Sequence, residues 1–237
     1  MARPRYPRSE GPLPPPLPPE TRTVGQLVAE SIRFYGAHFW RSLALGIPAG
    51  IVGLVLATLP GWWDTAFILT GGALLLTLSY VGASVLVLKA SVDRRTVGVA
   101  LLGGAAVFVP FPFLASVFVL PGLAWLAFVG LVVPVAVVER LGFRDSFRRA
   151  VVLARADYVH ALGSLSALVI ASILSATVLF FLLRGQGDAA LSVAAFLALL
   201  VISPVVLIGS ALLYVDQEAR VGLSRQRRPV RSSSRGR

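Results

Sequence analysis

Six long apolar runs, 42–59, 66–88, 96–119, 121–138, 161–183 and 190–214, contain no Asp, Glu, Lys, Arg or His. The hydrocarbon core of a bilayer is about 30 Å thick. A helix rising 1.5 Å per residue therefore needs about 20 apolar residues to cross it. Each run reads as one crossing. The third and fourth are nearly continuous and together too long for one. Pro121-Gly122 divides them, so a helical hairpin turning there is the expected arrangement.

Two stretches show a different rhythm. In 23–39, Val24, Leu27, Val28, Ser31, Phe34 and Tyr35 recur at helical spacing, with Glu30 and Arg33 off that stripe. Thr23 and Gln26 stand at capping-box spacing, where each side chain can satisfy the other's backbone N–H. In 143–158, Phe143, Phe147, Ala150, Val151 and Ala154 form one face. Arg144, Arg148 and Arg155 form another, and Asp145 can pair with Arg149 four residues on. Both stretches read as amphipathic helices at the membrane surface. Docking against the bundle would use the Phe face of the second equally well. Trp40 and Arg41 then fall at headgroup level. The predicted fold is all-α: a polytopic bundle of six transmembrane helices with two cytoplasmic interfacial helices, together 23–215.

The ends differ in composition. Residues 1–22 hold eight of the 16 prolines and no apolar leader, and read as a disordered, proline-rich tail. Residues 216–237 are basic and read as a second disordered tail. Of the 237 residues, 56% are hydrophobic and only 14% charged, which excludes an ordinary soluble enzyme. The net charge of +11 would suggest nucleic acid, but the cations sit in clusters between apolar runs. Six crossings with a cytoplasmic N-terminus put 21 of the 22 Lys and Arg inside and only Arg184 outside. Both termini are thereby expected in the cytoplasm, in a bacterial cell membrane. A shift of 122 residues aligns Arg33 with Arg155, His38 with His160 and Ser42 with Ser164, a weak parallel repeat of 23–90 and 145–215.

Thr23-Val24-Gly25-Gln26-Leu27, Ile32-Arg33-Phe34-Tyr35 and His38-Phe39 form one recognisable series. Pro121-Gly122, Val133-Pro134-Val135, Glu139, Gly142 and Phe147-Arg148-Arg149-Ala150 form a second. Leu213-Tyr214-Val215-Asp216 with Arg220 forms a third. Together, over roughly 21–220, these resemble the bacterial glycerophosphoryl diester phosphodiesterase membrane-domain family and related six-span proteins. The resemblance implies an integral membrane protein, not an activity, because the family's catalytic domain has no counterpart in the sequence. Ala150 stands where that family often has Ser.

Candidate chemistry is sparse. Cys is absent, and two His and 11 carboxylates offer few ligands, so no catalytic, cofactor or metal site is expected. His38 and His160 fall at the inner interface, and a two-His phosphodiester site across the repeat is the weakest of three readings. Thr70, Thr77, Ser79, Tyr80, Ser84, Ser172, Ser203 and Ser210 could line a path for a lipid or small amphiphile, as in a permease subunit, or bond between helices. The leading reading is an accessory or membrane-organising protein. Its Arg144, Arg148 and Arg155 meet anionic headgroups. Its Glu139 fastens the second surface helix through Arg148, Arg149 or Arg220, with Arg149, His38 and His160 as structural polar residues. A membrane-protein partner or a second copy of the chain is also compatible with it; a specific nucleic acid is not.

Overall fold

A computed structural model describes residues 18–183 and 188–232. All regular structure among them is helical. Six helical stretches are long and apolar enough to cross a membrane: Phe39–Leu56, Trp62–Leu88, Arg94–Val117, Val119–Glu139, Tyr158–Val178 and Ser192–Leu223. The chain is an all-α, multi-pass membrane bundle.

Helix α1 (Val24–Ala37) begins at the Thr23–Gln26 capping box, with both reciprocal bonds formed. His38 breaks the helix (φ −122°, ψ 37°), and α2 (Phe39–Leu56) follows as the first span. The second span is α3 (Trp62–Phe67), a π-turn at Ile68–Gly72 and α4 (Ala73–Leu88). The third is α5 (Arg94–Phe108) and α6 (Phe111–Val117); the fourth is α7 (Val119–Val129) and α8 (Val132–Glu139). Then come the short α9 (Phe143–Ala154), α10 (Tyr158–Leu183) and α11 (Asp188–Ser232). The order short helix, span, span thus occurs at both ends of the chain. Ser42 and Ser164, paired by the repeat, are both fully buried.

The core sits around α8. Val132, Val133, Val135, Ala136 and Val137 have no exposure at all. A helix apolar on every side is stable only when surrounded, and α4, α5, α9 and α11 enclose this one. The small-residue stripe on α2 packs within the chain. A Cβ on Gly46 would lie 1.9 Å from the Leu200 carbonyl oxygen, and one on Gly50 would meet the Phe196 ring at 2.9 Å. Close backbone approach of this kind is how helices associate in lipid.

The structure changes four expectations. The hairpin turns at Phe118 (φ −167°, ψ 148°), three residues before Pro121. Pro121 falls instead in the first turn of α7, where a missing N–H removes no helical bond. The region from 216 is not a tail at its start. Helix α11 runs on through it, because Asp216 and Gln217 are fully buried against neighbours. Most of the proline-rich segment 1–22 lies outside the described residues. Its last part is packed, with a 3-10 turn at Pro19–Thr21 and Arg22 paired to Asp216. The second amphipathic helix stops at Ala154, because Asp157 caps α10 by accepting from the His160 N–H at 3.0 Å.

Candidate functional site

The charged loops gather at one end of the bundle, tied to each other by side-chain bonds. Residues 57–65 and 109–121, at the connections between spans one and two and within the middle pair, hold Asp64 and no Lys or Arg. The expected lone outer cation, Arg184, lies outside the described residues.

Two polar clusters form on the last turns of the sixth span. In the first, Arg22 Nη1 donates to Asp216 Oδ1 at 2.7 Å, and the His160 Nε2 lies 3.6 Å from Asp216 Oδ2. Arg220 pairs with Asp157 and also donates to the Arg22 carbonyl at 3.0 Å. Gln217 Nε2 donates to the Asp157 carbonyl at 2.9 Å. This cluster straps the segment before α1 and the start of α10 to α11. In the second, Arg149 Nε donates to both Glu139 oxygens at 2.9 and 3.2 Å, and Tyr214 Oη donates to Glu139 at 3.2 Å. Arg149 Nη2 also lies 3.7 Å from Glu218. Of the three partners weighed for Glu139, Arg149 is the one engaged. The expected Asp145–Arg149 pair is not formed, because Glu139 and Glu218 hold the guanidinium on the inner side of the helix.

Helix α9 buries Ser146, Ala150, Leu153 and Ala154. Phe147 and Val151 are half-buried, and Phe143 is exposed. The buried face is thus rotated from the predicted Phe face, toward the side on which Arg149 is tethered. Arg144, Arg148 and Arg155 stand on the opposite, exposed side. At 100° per residue they fall within about 40° of arc. None has an ion pair among the described residues. Together with Asp145, Phe147, Val151 and Val152 they line an open groove.

The two His residues have separate partners. His38 stacks on Phe34 with ring centroids 4.5 Å apart, and its Nδ1 lies 3.3 Å from the Phe34 carbonyl. His160 belongs to the Asp216 cluster. Among the described residues no three His, Asp or Glu are placed to hold a metal. Two groups outside the spans have displaced acidity. Side-chain and backbone hydrogen bonds from Thr96 hold the Asp93 carboxyl below its usual range, and burial raises the Tyr35 hydroxyl.

Most of the span hydroxyls bond within their own helices. Thr70, Thr77, Ser84, Ser172 and Ser210 each donate to the carbonyl four residues earlier on their own helix. Ser79 and Ser203 hold buried hydroxyls with no hydrogen-bond partner, and the buried Tyr80 hydroxyl neighbours Ser210. The Asp216 cluster escaped sequence reasoning because residue 216 follows the apolar run and looks like tail. The signal was available: Asp216, Gln217 and Arg220 continue the helical spacing of that run.

No family model, curated protein or solved structure matches the chain.

Proposed function

We propose that this multi-pass membrane protein organises the inner surface of a bacterial cell membrane, both termini cytoplasmic, by binding anionic lipid headgroups along the α9 ridge. One observation carries the reading: Arg144, Arg148 and Arg155 are exposed, unpaired and aligned on a helix that is itself fixed to the bundle. An unneutralised row of guanidiniums attracts anions, and a rigid helix loses little freedom when it binds them. Half-buried Phe147 and Val151 beside the ridge suit the acyl boundary below a headgroup. The positive-inside bias supports the orientation.

Each cation near an anionic surface contributes about 1 kcal/mol. Replacing Arg144, Arg148 and Arg155 together by Gln should weaken retention of phosphatidylglycerol or cardiolipin by up to about 100-fold at low salt. Native mass spectrometry of the detergent-purified chain would read this directly. Equal lipid retention by the triple variant, at unchanged thermal stability, would refute the proposal.

A further inference from the structure

We propose that the groove between the splayed ends of spans two and three binds a bilayer lipid through a primary ammonium headgroup, as in a phosphatidylethanolamine. The reading does not depend on the anion-binding ridge of α9 and needs only the membrane bundle.

The groove has a sequence cause. At one end the two spans pack together, α4 on α5. Toward the other end both lose regular form. Span two passes through the π-turn at Ile68–Gly72. Helix α5 stops at Phe108, ahead of Pro110 and Pro112, which have no N–H to give to the carbonyls of Ala106 and Phe108. Past these two irregularities α3 and α6 stand apart, and a groove of about 440 Å³ opens between them. That volume lies within the roughly 300–1,000 Å³ of small-molecule sites. Leu56, Ile68, Leu69 and Phe113 form its apolar wall, which suits a hydrocarbon stem.

The polar side chains of the groove, Asp64, Thr65 and Ser116, are left as acceptors. Half-buried Asp64 accepts at Oδ1 from the Thr65 N–H, and from the Thr65 hydroxyl at 3.2 Å. These bonds orient the carboxylate and use up the Thr65 proton. Ser116 Oγ donates to the Phe113 carbonyl at 2.8 Å, so its oxygen too is left to accept. Asp64 has no ion pair among the described residues. One negative charge with no spare side-chain proton selects a cation that only donates. A primary ammonium has three N–H groups and no acceptor. A phosphate would meet like charge, and a quaternary ammonium brings charge without donors. Depth favours a lipid over a solute. Trp62 and Trp63 directly precede Asp64, stacked at 4.0 Å and 66% and 54% exposed. Exposed indole rings at the end of a span sit at headgroup level. The carboxylate therefore lies where an ammonium headgroup lies, with the apolar wall reaching down along the acyl chains.

The test is native mass spectrometry of the full chain in detergent, titrated with dioleoylphosphatidylethanolamine and its N-methyl, N,N-dimethyl and N,N,N-trimethyl forms, the last being phosphatidylcholine. Each methyl removes one donor, so affinity should fall stepwise, by about tenfold over the series. Asp64→Asn keeps the shape and removes the charge. It should weaken phosphatidylethanolamine binding about tenfold and flatten the series. Ser116→Ala serves as a second variant should the first prove unstable, with a loss of about threefold. Replacing Arg144, Arg148 and Arg155 by Gln should leave the series intact, which separates this site from the ridge. The proposal is overturned if phosphatidylcholine binds as tightly as phosphatidylethanolamine, or if folded Asp64→Asn keeps the parent's preference. It is equally overturned if free phosphoethanolamine displaces the lipid at equal concentration. Arg184→Gln should change nothing; a tenfold gain in lipid affinity would assign the carboxylate to that arginine and overturn the proposal as well.

Discussion

Helices α1 and α9 arise from the same sequence rhythm, occupy matching places before a span, and end up doing different things. Helix α1 turns Leu27 and Ser31 fully inward against α10 and α11. Its exposed face is electrically balanced, with Glu30 and Arg33 4.0 Å apart. Helix α9 also buries one face, but Glu139 and Glu218 are taken up by Arg149, and on its outer face three arginines, none of them ion-paired, outnumber the single carboxylate Asp145. Amphipathicity alone therefore says that a helix has an inside. Which residues of the polar face remain available depends on where the neighbouring carboxylates go.

The two helices also differ in how they are held, and the largest expected effect lies there. The α1 side depends on Asp216, which is fully buried between Arg22 and His160. Replacing Asp216 by Ala leaves the Arg22 guanidinium, only 10% exposed, without its carboxylate. Loss of one partner of a buried pair costs about 3–5 kcal/mol. A large fall in melting temperature in detergent is expected, with faster proteolysis at the segment before α1. Melting within error of the parent would show that the apolar stripe of α1, not the strap, holds it.

The α9 side depends on a more accessible pair, Glu139 at 22% and Arg149 at 19% side-chain exposure. Glu139→Gln keeps the shape and removes the charge, and should lower stability by about 1–2 kcal/mol, less than the Asp216 change. Combining it with Arg149→Gln gives a double-mutant cycle, and a coupling close to zero would dissolve the supposed strut. The lipid retention of Glu139→Gln sharpens the comparison further. If α9 must be fixed to present its ridge, retention drops although no ridge residue has changed.

Much of this molecule was legible in the sequence because its strongest constraint is one-dimensional. A bilayer asks for about 20 apolar residues, and each of the six spans contains most of a run read from the chain. The capping box at Thr23 was legible for a similar reason, being a contact between residues three apart. What stayed hidden was long-range. Nothing local distinguishes Arg149 from Arg148, and the choice of the former follows from Glu139 lying ten residues back across a turn. Asp216 pairs with a residue 194 positions away, so its burial could not be inferred from its surroundings in sequence. The hairpin turn moved to Phe118 because a proline in a helix's first turn is as compatible as one in a loop.

The smallest expected effect concerns how the two helices begin. Thr23 caps α1 with its side chain, whereas α9 starts at Gly142, which offers none. Thr23→Ala should cost about 1 kcal/mol, and Gly142→Ser should add a few tenths. The second change is sterically free: Gly142 has φ −66°, ordinary for any residue, and a Cβ there meets nothing within 4 Å. Helix α9 is already fixed by Glu139, however, so part of its starting order exists without a cap. If Gly142→Ser stabilises the Glu139→Gln background more than the parent, as measured by thermal melting of all four combinations, cap and strut act on the same fraying of the first turn. Equal increments in both backgrounds would mean that the strut fixes the helix as a body and leaves its first turn to the capping residue alone.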